Sequence, residues 1–151
     1  MLGTMYESQN CSAARALEVV GERWNLLILR DALFRGMTRF SEFERSLGIA
    51  PNVLAKRLGG FVTSGLLKKH SGTAGDDTDH YLPTDKGVSF KPVIVALTAW
   101  GDRWAAPHGP PVHFEHVECG GRVDYRLRCI KCEDAPALRR VVAVPNRNRS
   151  Q

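Results

Sequence analysis

Apolar residues along the chain recur at helical spacing in short stretches, each closed by glycine or proline. After a loose arm, residues 1–10, Ser12 can cap a helix in which Ala13, Ala14, Ala16, Leu17 and Val20 recur, and Gly21 ends or kinks it. A second helix is predicted from about residue 22 to 34, with the stripe Trp24, Leu27, Ile28 and Leu33, closed by Arg35 and Gly36. Arg39 and Phe40 read as extended or a turn. Ser41, with Glu44 three residues on, has capping-box spacing and starts a short third helix that ends at Gly48. Pro51 suits the first turn of a fourth helix, because its missing N–H is not needed there. Leu54, Leu58, Phe61 and Val62 share one face of that helix, and Gly65 matches its C-cap.

Residues 66–70 and 80–82 read as strands, with the glycine- and aspartate-rich segment 71–79 as the hairpin loop between them. Thr84 is placed to cap a last long helix running to about Trp104. Val93, Leu97, Trp100 and Trp104 form one stripe of it, and Phe90 and Ile94 widen the apolar surface. So wide a stripe suits two partners, the chain's own core and a second subunit. Three prolines and a glycine within residues 105–111 mark a boundary, giving a domain of 1–106 and a small β-rich module of 112–145, with a polar, frayed tail from Pro145. The fold class expected is α+β, mainly α.

Composition narrows the options. With 151 residues, 43% hydrophobic and 25% charged, the chain suits one ordinary domain with a small appendix. A formal net charge of +5 favours polyanionic partners. No apolar run reaches the roughly 18 residues of a membrane span, and no basic stretch precedes an apolar core at the start, so no membrane partner is expected and a cytoplasmic location is. In that compartment four cysteines point to metal or redox chemistry rather than to a disulfide framework.

Helix, tight turn, helix and two-stranded hairpin is the order of a winged helix-turn-helix. The second helix of such a motif enters the major groove of double-stranded DNA, and the hairpin forms a wing beside it. If Leu54, Leu58, Phe61 and Val62 face the core, Asn52, Val53, Lys56 and Gly60 point away, with Arg57 on the flank. Asn52 then suits a base edge, and Lys56 and Arg57 suit phosphates or guanine. Gly59 and Gly60 are costly inside a helix, at about 1 kcal/mol each relative to alanine.

The stretch "CSAARALEVVGERWNLLILRDALFRGMTRFSEFERSLGIAPNVLAKRLGGFVTSGLLKKH", followed by "YLPTDKG" and "LTAWGDRW", resembles the HxlR-type transcriptional regulators, winged-helix proteins allied to the MarR group, over residues 11–104. The resemblance implies a homodimer paired through its first and last helices and bound to an inverted-repeat operator, with Asn52, Val53, Lys56 and Arg57 on the reading helix; a repressor is expected, and Arg39 and Ser41, at the start of the helix before it, are further DNA-binding candidates. The wing tip departs from the pattern: Asp76, Asp77 and Asp79 disfavour phosphate contact, leaving Lys68 and Lys69 at the wing base as candidates. Gly59 and Gly60 also stand where relatives carry charged helix formers.

Cys11 aligns with a cysteine that senses oxidants or electrophiles in some members. A helix N-terminus favours the thiolate such chemistry needs, and Arg15 lies one turn on. A second cluster, "HVECGGRVDYRLRCIKC", spaces His116 and Cys119, then Cys129 and Cys132, each pair with two residues between. That is zinc-ribbon spacing for a closed Cys3His structural site, with residues 122–128 alternating as a strand and His113 as a competing donor. Trp24, Trp100 and Trp104 are candidates to line a small-molecule effector pocket, although aromatic residues at this spacing are more often core. The chain lacks a phosphate-binding loop, an H-E-x-x-H run and a nucleophile–base pair, which argues against an enzyme. A zinc-ribbon protein acting through protein or RNA contacts, with the helical part as dimeriser, is the alternative.

Overall fold

The computed structural model describes residues 5–72 and 75–146. The remainder of the expected arm, hairpin loop and tail lies outside the described residues. Within the arm, the Tyr6 N–H donates to the Glu18 carboxylate at 2.6 Å and the Arg15 guanidinium donates to the Tyr6 and Gln9 carbonyls, so residues 6–9 are tied to the first helix rather than loose.

Helix α1 spans Ser12–Val20, with Cys11 rather than Ser12 at its N-cap and Gly21 at its C-cap. Helix α2, Asn25–Phe34, starts three residues later than expected, because residues 22–24 form a turn closed by the Asn25 N–H on the Glu22 carbonyl. Its Ile28, Leu29, Ala32 and Leu33 are buried. Helix α3, Phe40–Leu47, instead begins ahead of the expected cap. Glu42, not Glu44, reaches back to accept the N–H groups of Thr38 and Arg39, at 2.8 and 2.9 Å, which leaves Ser41 exposed inside the first turn. Gly48 ends α3 at φ 60°, a left-handed conformation that glycine adopts without a Cβ penalty.

Helix α4 spans Pro51–Thr63, with proline in the first turn as expected. Leu54, Leu58 and Phe61 are buried and Val62 packs half-buried against the same core. Strands β1, Leu67–His70, and β2, His80–Pro83, pair antiparallel with Lys68 opposite Leu82 and Lys69 opposite Tyr81. An Arg39–His80 bridge and the Tyr81 N–H on the Thr38 carbonyl, at 2.7 Å, fasten this wing to the chain entering α3.

The expected long helix is two helices, α5 over Asp85–Val88 and α6 over Lys91–Trp104. Thr84 caps α5, accepting the Gly87 N–H at 3.1 Å. Pro92 accounts for the break, since a proline ring clashes with the carbonyl four residues earlier, here Val88, the last residue of α5. Ile94 and Val95 of α6 are buried, whereas Val93, Leu97, Trp100 and Trp104 are exposed, the two tryptophans at 61% and 66%. Trp24 packs half-buried on the core, so the three tryptophans do not share one environment.

The chain divides into two compact units, one ending at Thr98 and one beginning at Ala99. Beyond α6, the second unit carries one isolated bridge, Glu115–Arg122, and a 3-10 turn, Leu138–Arg140. Residues 122–128 form no strand, and no described residue of this unit is buried. Their alternation has no sheet face to bury, so pairing goes no further than that bridge. No helix among the described residues is long and apolar enough to cross a membrane.

Candidate nucleic-acid interface

Helix α4 is set by its neighbours on both sides. The left-handed Gly48 turns the chain, Ile49 plugs into the core, and Pro51 opens the helix, so that Leu54, Leu58 and Phe61 anchor one face and the opposite face is left to solvent. Asn52 and Lys56 lie on that open face. The Asn52 Oδ1 accepts the Val53 N–H at 2.9 Å, leaving its amide nitrogen outward as a donor. Lys56 has no salt bridge among the described residues. A Cβ at Gly59 or at Gly60 would meet nothing within 4 Å among the described residues, so packing among them requires neither glycine.

Two expected contacts are differently placed. Val53 is half-buried against the core rather than turned outward. Arg57 turns to the α1–α2 turn, where its guanidinium meets Glu22 at 3.0 Å, and its side chain is 21% exposed. The flank of α4 therefore carries an internal ion pair beside the open face.

The wing shows the same pairing. Arg39 meets Asp76 at 3.0 Å and Lys69 meets Asp79 at 2.7 Å. Hydrogen bonding to Asp79 raises the Lys69 pKa. The Thr78 hydroxyl and N–H hold the Asp76 carboxyl below its ordinary range, with His80 adding to them. His80 bridges the cluster, one ring nitrogen 2.9 Å from the Thr38 hydroxyl and the other 3.5 Å from Asp76. Lys68, alternating to the other face of β1, is exposed without a salt bridge among the described residues. Of the cations named as DNA-contact candidates, Lys56 and Lys68 are thus the two without a carboxylate partner among the described residues.

One residue that the sequence reading passed over positions the motif. Asp31 is fully buried, and its carboxylate takes the Arg30 guanidinium at 2.7 Å and the Ser46 hydroxyl at 2.6 Å, with Arg35 at 3.5 Å. It thereby fastens α2 to the end of α3. The available signal was an acidic residue inside an apolar helix with arginines at i−1 and i+4.

Cys11 is exposed at the start of α1, where the N–H groups of Ala14 and then Ala13 lower its thiol pKa, with help from the Arg15 charge. In the second unit, the Cys129 thiol is also lowered, by the N–H groups of Cys132 and Lys131. His116 and Cys119 lie 3.3 Å apart, and His113 is engaged by Glu115 at 2.5 Å. Among the described residues no group of three or more His, Cys, Asp or Glu side chains is placed to hold a metal ion.

Residues 19–109 match the model of the HxlR-like helix-turn-helix family. The chain belongs to this family. An HTH-type transcriptional regulator of Mycobacterium tuberculosis is 40% identical over 135 residues, 89% of this chain and 85% of that protein. The crystal structure of PA1607, a proposed transcription factor, aligns with a TM-score of 0.81 at 34% identity, covering 93% of this chain and 99% of that one. PA1374 of Pseudomonas aeruginosa, also a proposed transcription factor, aligns with a TM-score of 0.63 at 36% identity, over 93% and 96% of the two chains. This HxlR-like protein is a transcriptional regulator with a helix-turn-helix DNA-binding domain, and α3, α4 and the β1–β2 wing are that domain's motif.

Proposed function

We propose that the protein is a cytoplasmic homodimeric repressor that binds an inverted-repeat operator through α4. The observation that carries this reading is the open face of α4, with Asn52 and Lys56 exposed opposite a face sealed by Leu54, Leu58 and Phe61. A protruding helix of this kind suits the major groove, with Asn52 toward base edges and Lys56 toward phosphate or guanine. Ser41 and Lys68 flank it, while Arg39, Arg57 and Lys69 reach DNA by leaving Asp76, Glu22 and Asp79. The exposed Val93, Leu97, Trp100 and Trp104 on α6, with Leu17 on α1, supply apolar surface for the second subunit. A two-fold dimer then reads half-sites about 34–36 Å apart.

The test is a mobility-shift titration on duplex DNA flanking the protein's own gene, repeated across salt concentrations. Lys56→Ala should weaken binding and lower the slope of log affinity against log salt by roughly one. Arg57→Ala should change it less, because Arg57 already has a carboxylate partner. Unchanged binding by Lys56→Ala would remove α4 from the interface.

The signal is proposed to be oxidation of Cys11, whose exposure and lowered pKa favour the reactive thiolate. In the same titration a mild oxidant should release wild type and spare Cys11→Ser. Equal release of both would instead favour a small-molecule effector. A cleft of about 310 Å³ lined by Val19, Asn25, Lys56, Arg57, Gly60 and Phe61 is the place for one, with the buried Asn25 Oδ1 unpartnered among the described residues.

A further inference from the structure

Two turns of the C-terminal unit repeat one geometry. His116 and Cys119 are followed by Gly120 at φ 68°, whose N–H returns to the His116 carbonyl at 2.7 Å. Cys129 and Cys132 are followed by Glu133 at φ 62°, whose N–H returns to the Cys129 carbonyl at 2.8 Å. Glu133 is the one non-glycine residue with positive φ among the described residues. A side chain in that region is uncommon and mildly strained, so the second turn holds its shape against a local preference.

The first turn also directs a backbone N–H group at its sulfur, with Gly121 donating to the Cys119 Sγ at 3.4 Å. The His116 ring has its Nδ1 3.3 Å from the Cys119 Sγ and its Nε2 2.7 Å from the Glu118 carboxylate. One ring nitrogen toward a thiol and the other on a carboxylate is the arrangement of a metal-binding imidazole with its orienting partner.

The unit also lacks the usual means of cohesion. The apolar residue inside each turn is turned to solvent, Val117 at 92% and Ile130 at 99% exposure, and no described residue of the unit is buried. A small unit without an apolar core needs another tie, and metal is a common one.

We propose that the two turns close on a single zinc ion, bound by His116 Nδ1 and the thiolates of Cys119, Cys129 and Cys132, as a structural site. Zinc replaces three thiol protons, which pass to the solvent, and no electron is transferred. The described residues do not gather three donors, so the ion draws one preformed turn onto the other, and binding is coupled to ordering of the unit. His113 is left out because it lies outside both turns.

The full chain, purified without chelator in reducing buffer and dialysed against zinc chloride, should hold about one zinc per chain by elemental analysis, as a single four-ligand site requires. Cys119→Ser and Cys129→Ser should each bring that ratio near zero, whereas His113→Ala should leave it unchanged. His116→Cys should retain zinc, because a thiolate replaces the imidazole, which guards against loss through misfolding alone. The cobalt-loaded chain should show the intense visible bands of tetrahedral thiolate coordination. A chain that takes up no zinc under these conditions, or a Cys129→Ser variant that keeps its zinc, would overturn the site.

Discussion

Ile28, Leu29, Phe43, Leu54 and Leu58 are wholly shielded from solvent in the unit ending at Thr98, whereas Ile130 of the second unit, no less apolar, is 99% exposed. The first unit places apolar residues at helical intervals, so forming the helices and burying the core are one event. The second unit places its polar and sulfur-bearing residues on tight turns and leaves the apolar ones outside. Hydrophobic periodicity therefore tells which side of a helix is inside, and it is silent where a unit is built of turns.

The contrast can be broken most directly by truncating one large side chain in each unit. Phe61→Ala should cost about 3–5 kcal/mol in chemical denaturation, through lost burial and the cavity left behind. Ile130→Ala should fall within about 0.5 kcal/mol, because nothing surrounds it. Comparable losses from the two would mean that Ile130 is covered by a partner in solution.

A smaller effect sharpens the polar side of the first unit. Asp31→Ala removes the acceptor shared by Arg30, Arg35 and Ser46. Because both arginines are partly exposed and can take up water, the expected loss is about 2–3 kcal/mol, below that for breaking a fully buried pair. A loss under about 0.5 kcal/mol would show that apolar packing alone fixes α3 on α2.

The smallest effect is on the acid limb. The Glu42 pKa lies below its ordinary value of 4.5 because the N–H groups of Arg39 and Thr38 bond the carboxylate. A carboxylate with a depressed folded-state pKa stabilises above its unfolded value, and that contribution is lost as pH falls through the folded value. Stability should therefore decline below about pH 4.5. Glu42→Gln should make that decline shallower without abolishing it, since Asp76 shares the same sign. An unchanged acid limb in thermal melts would remove Glu42 as a contributor.

Much of the helix-turn-helix was legible because it rests on local chemistry. Gly48, Pro51 and the Leu54–Leu58–Phe61 spacing each decide their own conformation. The cap of α3 was misplaced because Ser41–Glu44 and Arg39–Glu42 both offer the required interval, and only the wing, bridging to Arg39, selects between them. The break before α6 was carried by Pro92 and overlooked because the apolar stripe continues past it. The partners of Arg57 and Arg39 could not be read locally, for they lie 35 and 37 residues away along the chain. No periodicity reports such pairings.

The pairing of Arg39 with Asp76 and of Lys69 with Asp79 makes the wing electrically self-screening. A phosphate that approaches either cation competes with a carboxylate tethered at high local concentration, not with a mobile chloride ion. The freed carboxylate then collects a cation of its own, offsetting part of the release of ions from DNA. The salt sensitivity of such a wing is consequently lower than its number of basic residues suggests. Affinity can then be adjusted by exchanging an acidic residue at the tip while every basic side chain stays in place.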